Sequence, residues 1–358
     1  MTRKVFDINS ASDRLEVKNQ FDGNLRFGAK KFHKETNRSG VGRPAEGGLI
    51  REHAKIVKDT GVDRYERIGD FWEDVNQCPV CSSADRTFFL NRMGLDIWRC
   101  GSCGHRYQHP RITFDKACEL YADDKTASDI YTQPIQKEID RIKYQYGLDL
   151  VEQLNPPAHK RIMDIGCGAG VFLEVALNNG WETCVGIDAN SRYADIYQES
   201  KGIQYIQSSF ERFDRERLGK DYDCICLWNV LEHLFDLQGT VAEIRRMLKE
   251  GGLLFIMVPN VESLATRLIR EKSATFNWKH VSHFSPVSLK TLMTRHGLEC
   301  VHLETAITEI DNVKSYLSGE YPYHGYGDPN HLFDFITPEY LHKSLLGSRL
   351  IAVFRKIE

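Results

Sequence analysis

The sequence predicts an α/β protein: an open, largely parallel sheet covered by helices on both faces, preceded by a small cysteine-bearing module. Three observations carry that reading. Apolar strand-like runs at 161–165, 183–187, 204–206, 223–227 and 253–258 alternate with helical segments, the pattern of parallel strands joined by crossover helices. Glycines crowd the first strand-to-helix turn, in "MDIGCGAG" from Met163 to Gly170. Two close cysteine pairs, Cys78 with Cys81 and Cys100 with Cys103, stand apart from the sheet-forming half.

At 358 residues the chain is long enough for one large domain plus a smaller module. Its 47 Lys and Arg against 50 Asp and Glu give a net charge of -3, so no global basic field marks it for nucleic acid or an anionic membrane surface. A small-molecule acceptor fits that balance better. The opening "MTRKVFDINS" holds no apolar core of signal-peptide length, and no apolar run elsewhere is long enough to span a bilayer. The expectation is a cytoplasmic protein without a membrane partner. Ten cysteines, only four of them in close pairs, suit a reducing compartment better than a disulfide framework.

Along the chain, residues 1–77 read as a polar arm. Arg26, Lys30, Lys31, Lys34, Arg38 and Arg43 make a basic stretch in it, and the spacing of Leu49, Ile50, Ile56, Val57, Ile68 and Phe71 predicts one or two short helices within 48–75. The cysteine unit occupies 78–110. A helical connector, 111–157, follows and is ended by Pro156-Pro157. The sheet domain takes 158–358, with a helix at 286–296, a strand near 299–303, an aromatic tract (Tyr321, Tyr323, Tyr326, Phe333, Phe335) and a final strand at 349–354.

Eighteen residues separate the two cysteine pairs, within the spacing at which two knuckles close on one tetrahedral zinc. Gly101 and Gly104 permit the tight second knuckle. Cys78, Cys81, Cys100 and Cys103 are the expected ligands, with His105 and His109 as alternative donors. Four thiolates saturate zinc and leave no position for a catalytic water, so the metal is expected to be structural. Few basic residues lie between the pairs, and nucleic-acid binding is the minority reading.

The glycines at 166, 168 and 170 run G-x-G-x-G, and Val171 stands where a dinucleotide fingerprint needs its third glycine. Asp164, two residues before the turn, can meet an ammonium but repels a pyrophosphate. Asp188 ends the next strand, where a carboxylate accepts ribose hydroxyls. These features favour S-adenosylmethionine over a nicotinamide dinucleotide.

From Arg161 to Asn260 the chain resembles the class I S-adenosylmethionine-dependent methyltransferases, on "IMDIGCGAGVFLEVALNNGW", "VGIDANS", "QSSFERF", "DCICLWNVLEHLFD" and "LKEGGLLFIMVPN". The resemblance implies a Rossmann-like seven-stranded sheet whose last strand inserts antiparallel. It also implies that Gly166, Cys167, Gly168 and Gly170 line the methionine and ribose side with Asp164 nearby. Asp188 would hold the ribose, Ala189, Ser209 and Phe210 would contact the adenine, and Trp228 and Asn229 would face the methionyl group.

Such an enzyme aligns an acceptor with the methyl group and handles one proton, for which a histidine is the leading base. His233 in "NVLEHL" and His280 and His283 in "NWKHVSHFS" are the candidates. A metal shared by Glu232, His233 and a neighbour is a further possibility. The order zinc ribbon then methyltransferase, together with "HxxHFS", resembles bacterial sugar and polysaccharide-biosynthesis methyltransferases. O-methylation of a sugar or nucleotide-linked sugar hydroxyl is therefore expected; RNA methylation with the ribbon and basic arm as grip, and C- or N-methylation of a natural-product intermediate, are the alternatives.

Overall fold

The computed structural model describes residues 10, 12–16, 18, 19, 54–59, 62–67, 70–92, 94–122, 124–198, 202–310, 313 and 336–358, with 54–59 and 62–67 described by backbone alone. The basic stretch at 26–43 and the aromatic tract at 321–335 lie outside the described residues.

In place of the helices expected within 48–75, the chain forms an antiparallel hairpin of β1 (Ala54–Asp59) and β2 (Val62–Arg67), with Asp59 opposite Val62. Thr60-Gly61, between the strands in sequence, is the two-residue glycine-bearing break that favours a hairpin. After β3 (Trp72–Glu73) comes a three-strand antiparallel meander, β4 (Arg86–Arg92), β5 (Leu95–Cys100) and β6 (Arg106–Gln108), and then β7 (Arg111–Ile112), which returns to pair with β3. The two cysteine pairs sit at the base of the β4–β5 hairpin. The connector is three helices: α1 (Phe114–Ala122), α2 (Lys125–Tyr131) and α3 (Pro134–Leu154). Pro134 opens α3, where its missing N–H costs nothing, and Asn155 ends it ahead of Pro156.

The alternation that follows is β8 (Arg161–Ile165), α4 (Val171–Asn178), β9 (Thr183–Asp188), α5 (Ala194–Gln198), β10 (Ile203–Gln207), β11 (Tyr222–Trp228), α6 (Leu237–Met247) and β12 (Leu248–Pro259). It continues with α7 (Leu264–Ile269), β13 (Ser282–His283), α8 (Pro286–Thr294), β14 (Leu298–Ala306), α9 (Pro338–Lys343) and β15 (Arg349–Lys356). Seven strands form one mixed sheet in the order β10-β9-β8-β11-β12-β15-β14, with β15 antiparallel to both neighbours. The expected antiparallel last strand is thus observed. Every residue of the central β11 is buried, as a parallel strand covered on both faces requires.

One face of the sheet packs on α3 and α4, the other on α6 and α8. Helix α3 approaches closely at Gly147, where a Cβ would lie 2.8 Å from Trp228 Cζ2 and 2.9 Å from Phe255 Cζ. The cysteine module is built into the second face: Cys78, Val80 and Tyr107 share the core of α6 and α8. Gln238 Nε2 on α6 donates to the carbonyls of Pro79 (2.7 Å) and Val80 (3.0 Å). Strand β13 leaves the chain that follows the central strands and pairs with β6, so the module's sheet has four strands, β13-β6-β5-β4. No described helix is long and apolar enough to cross a membrane.

Candidate active site

In the sheet order, the direction of winding reverses between β8 and β11, and a crevice opens at their C-terminal ends. The glycine turn lies there. Gly166, Gly168 and Gly170 all have positive φ (72°, 51° and 79°), a region that side chains with a Cβ disfavour. The Gly168 amide donates to Asp188 Oδ2 (2.9 Å) and the Asn190 amide to Oδ1 (2.8 Å). Tyr197 braces the turn from behind, its hydroxyl donating to the Gly168 carbonyl at 3.0 Å. Burial pushes the Asp188 carboxyl up, and those two amides pull it back.

A cavity of about 1170 Å³ opens over the turn, larger than the ~300–1,000 Å³ of an ordinary small-molecule site. Gly166, Cys167, Gly168, Asp188, Ala189, Ser209, Phe210, Trp228 and Asn229 all line it. Asp164 and Gly170 do not. Gly170 caps α4 behind the turn against the Tyr197 ring. Asp164 points into the sheet, 2% exposed, with Oδ1 lacking any hydrogen-bond partner; burial and then the Asp188 charge push its carboxyl well up. Asn229 adopts φ 56° at the end of β11 and holds its place by donating its amide to the Met257 carbonyl (2.7 Å).

The wall of the same cavity also carries Glu232, His233 and His280, each offering a ligand atom within 4.8 Å of the other two. His233 Nδ1 lies 2.8 Å from the Lys279 carbonyl and His280 Nδ1 2.8 Å from the Thr275 carbonyl. As donors to those carbonyls at Nδ1, both rings keep Nε2 as the unprotonated nitrogen, that of His233 4.0 Å from Glu232 Oε1. Glu232 is 1% exposed and neither carboxylate oxygen has a hydrogen-bond partner. Burial lifts its carboxyl to about 8 and holds His233 down to about 4. Tyr121, from α1, stacks on Trp278 and donates its hydroxyl to the Lys279 carbonyl at 3.1 Å.

His283 is placed elsewhere. It is fully buried on β13, opposite Arg106 of β6 and edge-on to Phe276, and it does not line the cavity. Its ring lies 6.5 Å from that of His280, behind the cavity wall. The four cysteine sulfurs converge within 4.8 Å, with Cys78 to Cys103 at 3.6 Å and Cys81 to Cys100 at 3.5 Å. His105 and His109 stand outside that group: His105 packs on Phe284, and His109 Nδ1 accepts the Val75 amide at 2.9 Å.

Residues 138–303 match the family described as "Methyltransferase domain". The chain carries a class I S-adenosylmethionine-dependent methyltransferase domain. The matched span begins inside α3, so the methyltransferase domain takes in the helix that sequence assigned to the connector.

Curated relatives include the ubiquinone biosynthesis O-methyltransferase of Thiobacillus denitrificans, 30% identical over 115 residues, covering 31% of this chain and 49% of that protein. The protein of the same name from Dinoroseobacter shibae is 29% identical over 175 residues, covering 45% and 68%. These names point to ubiquinone biosynthesis, where the sequence suggested sugars. Apart from the second, the chain spans about half the length of the curated relatives it matches. A solved SAM-dependent methyltransferase from Archaeoglobus fulgidus shares 18% identity at a TM-score of 0.45, over 64% of this chain and 98% of that one.

Sequence reasoning missed the part of the methyltransferase cavity built by α1, α2 and the tip of the β4–β5 hairpin, including Tyr121, Asp124 and Leu95. In the helical pattern of 114–154 an apolar wall residue such as Tyr121 has the spacing of a core residue, and a polar one such as Asp124 reads as part of a solvated face.

Proposed function

We propose that this protein transfers the methyl group of S-adenosylmethionine to a hydroxyl oxygen of a ring-shaped small-molecule acceptor. The observation that carries the reading is one continuous cavity lined both by the glycine turn and by the Glu232–His233–His280 cluster. The cofactor supplies an electrophilic methyl group on a sulfonium. Asp188 accepts the ribose hydroxyls, Ala189, Ser209 and Phe210 wall the adenine, and Trp228 and Asn229 face the methionyl end. Asp164, buried behind the turn with an unpaired oxygen, is a carboxyl that an ammonium in front of the turn would help to ionise. His233 and His280 hold the acceptor hydroxyl and take part in removing its proton.

The aromatic wall suits a flat ring: Tyr121 stacks on Trp278 with centroids 6.0 Å apart, and Phe114 and Phe235 stand beside them. A sugar or nucleotide-linked sugar is the acceptor the sequence favours, and an intermediate of ubiquinone biosynthesis methylated on oxygen is the one the relatives' names favour. The net charge of -3 gives no support to RNA. Cys78, Cys81, Cys100 and Cys103 would hold a structural zinc, since their 3.5–3.6 Å sulfur separations fit the ~3.8 Å edge of a tetrahedron with ~2.3 Å bonds.

The test is product mass after incubation with S-adenosylmethionine and separate panels of nucleotide sugars and hydroxylated aromatic compounds. A gain of one methyl on oxygen in either panel is expected. With the acceptor found, His233→Ala and His280→Ala should each lower kcat ~10²–10⁴-fold with cofactor affinity kept; full turnover in both rejects the assignment of the cluster.

A further inference from the structure

We propose that Glu232, His233 and His280 form a binding site for a first-row divalent cation on the acceptor side of the cavity. Its chemistry rests on the methyl-transfer reading above, although the binding itself does not. The donor set comes from two separate parts of the chain: Glu232 and His233 follow β11, and His280 precedes β13. Their ligand atoms nevertheless converge within 4.8 Å. An ion with ~2.1 Å bonds holds adjacent ligand atoms about 3 Å apart, so small side-chain rotations close the site.

Two features independent of that convergence point to a ligand. Glu232 is buried with both oxygens unpartnered and lines the cavity, a costly arrangement for a carboxylate unless something positive meets it. The cation that acts on it, Arg349 on the same cavity wall, is engaged by Glu309 at 3.6 Å. Secondly, each imidazole is oriented by a backbone carbonyl at Nδ1, of Lys279 and of Thr275, both at 2.8 Å. Metal-binding histidines are held in this way, which fixes the tautomer and aims Nε2 at the ion.

Two imidazoles and one carboxylate leave positions open toward the cavity, the arrangement of catalytic rather than structural sites. The acceptor's hydroxyl oxygen would take one of them. Coordination would lower the hydroxyl's pKa: the O–H bond breaks, its proton passes to water, and the oxygen's electron pair forms the new bond to the methyl carbon as the methyl–sulfur bond breaks, its pair staying on sulfur so that S-adenosylhomocysteine leaves. The four cysteine sulfurs, as soft donors, would select a different ion from this nitrogen and oxygen set.

Mn²⁺ is the probe, because thiolates bind it poorly. The full chain, freed of loosely held metal, is titrated with Mn²⁺ and followed by electron paramagnetic resonance. One ion bound per chain is expected, with affinity at least tenfold weaker in Glu232→Gln and His280→Ala, while S-adenosylhomocysteine affinity reports that both variants remain folded. A wild-type chain that binds no Mn²⁺, or variants that bind it as tightly as wild type, overturns the site. Full methyl transfer by cation-depleted protein overturns its chemistry and leaves the methyl-transfer reading standing; Mn²⁺ binding lost on Glu232→Gln supports the site even where no acceptor in either panel is methylated.

Discussion

Asp188 offers the sharpest test of the cofactor assignment. Each of its carboxylate oxygens already accepts one amide, from Gly168 and from Asn190, which leaves each oxygen a lone pair for one ribose hydroxyl. A hydrogen bond to a charged acceptor contributes about 1.5–3 kcal/mol. Losing two in Asp188→Ala therefore costs ~3–6 kcal/mol of binding, a ~10²–10⁴-fold weaker cofactor at about 1.4 kcal/mol per decade. Asp188→Asn should fall in between on charge but gains a conflict, because its amide NH₂ must face one of the two backbone N–H groups. Calorimetry with S-adenosylhomocysteine at pH 7 reads the affinity, and near-ultraviolet circular dichroism reads the fold. Wild-type affinity in a folded Asp188→Ala protein would refute the ribose role.

Gly147→Ala sets a helix-propensity gain of about 1 kcal/mol against the crowding of Trp228 and Phe255, which costs ~1–3 kcal/mol; net destabilisation is expected, and a raised Tm would show that α3 yields freely. Burial pushes Glu304 up, but His302 and then Lys18, 2.5 Å away, bring it down to about 2 from the usual 4.5. A depressed carboxyl stabilises the fold above its unfolded value, so up to ~3 kcal/mol should be lost as pH falls from 4.5 toward 2; urea unfolding of Glu304→Gln should show a flatter decline over that window, and an identical decline would remove Glu304 from the account. Mass spectrometry of metal content should find one zinc per chain, lost in Cys81→Ser. That variant should lower turnover more than it lowers cofactor affinity, and equal losses in both would contradict a role confined to the acceptor side.

The sheet was legible because its strands are buried on both faces and read as continuous apolar runs: 161–165 coincides with β8, and 223–227 lies within β11. Most of the residues expected to hold the cofactor reach the cavity wall for a related reason. They sit at strand ends and in one glycine turn, so sequence position alone places them. The hairpin at 54–67 was missed because its aliphatic residues Ile56, Val57 and Val62 neither alternate nor form a long apolar run, and only Thr60-Gly61 signals the turn. The acceptor side required tertiary contacts. His280 and His283 stand three residues apart in one motif, yet β13 begins between them and sends the second toward Arg106 of the cysteine module.

That same pairing makes the cysteine module part of the acceptor wall. Strand β6 begins three residues after Cys103 and pairs with β13, and Gln108 Nε2 at its end donates to the carbonyls of Asn277 (2.7 Å) and His280 (2.9 Å). The segment that carries Trp278 and His280 is therefore held on one side by a strand whose own start is fixed by the second cysteine knuckle. The glycine turn has no such dependence: Gly166 is held by the Ile187 carbonyl of β9 and Gly168 by Asp188. Loosening the knuckles should thus disturb the position of His280 while leaving the cofactor end in place, which is the physical basis for expecting turnover and cofactor affinity to respond differently to Cys81→Ser.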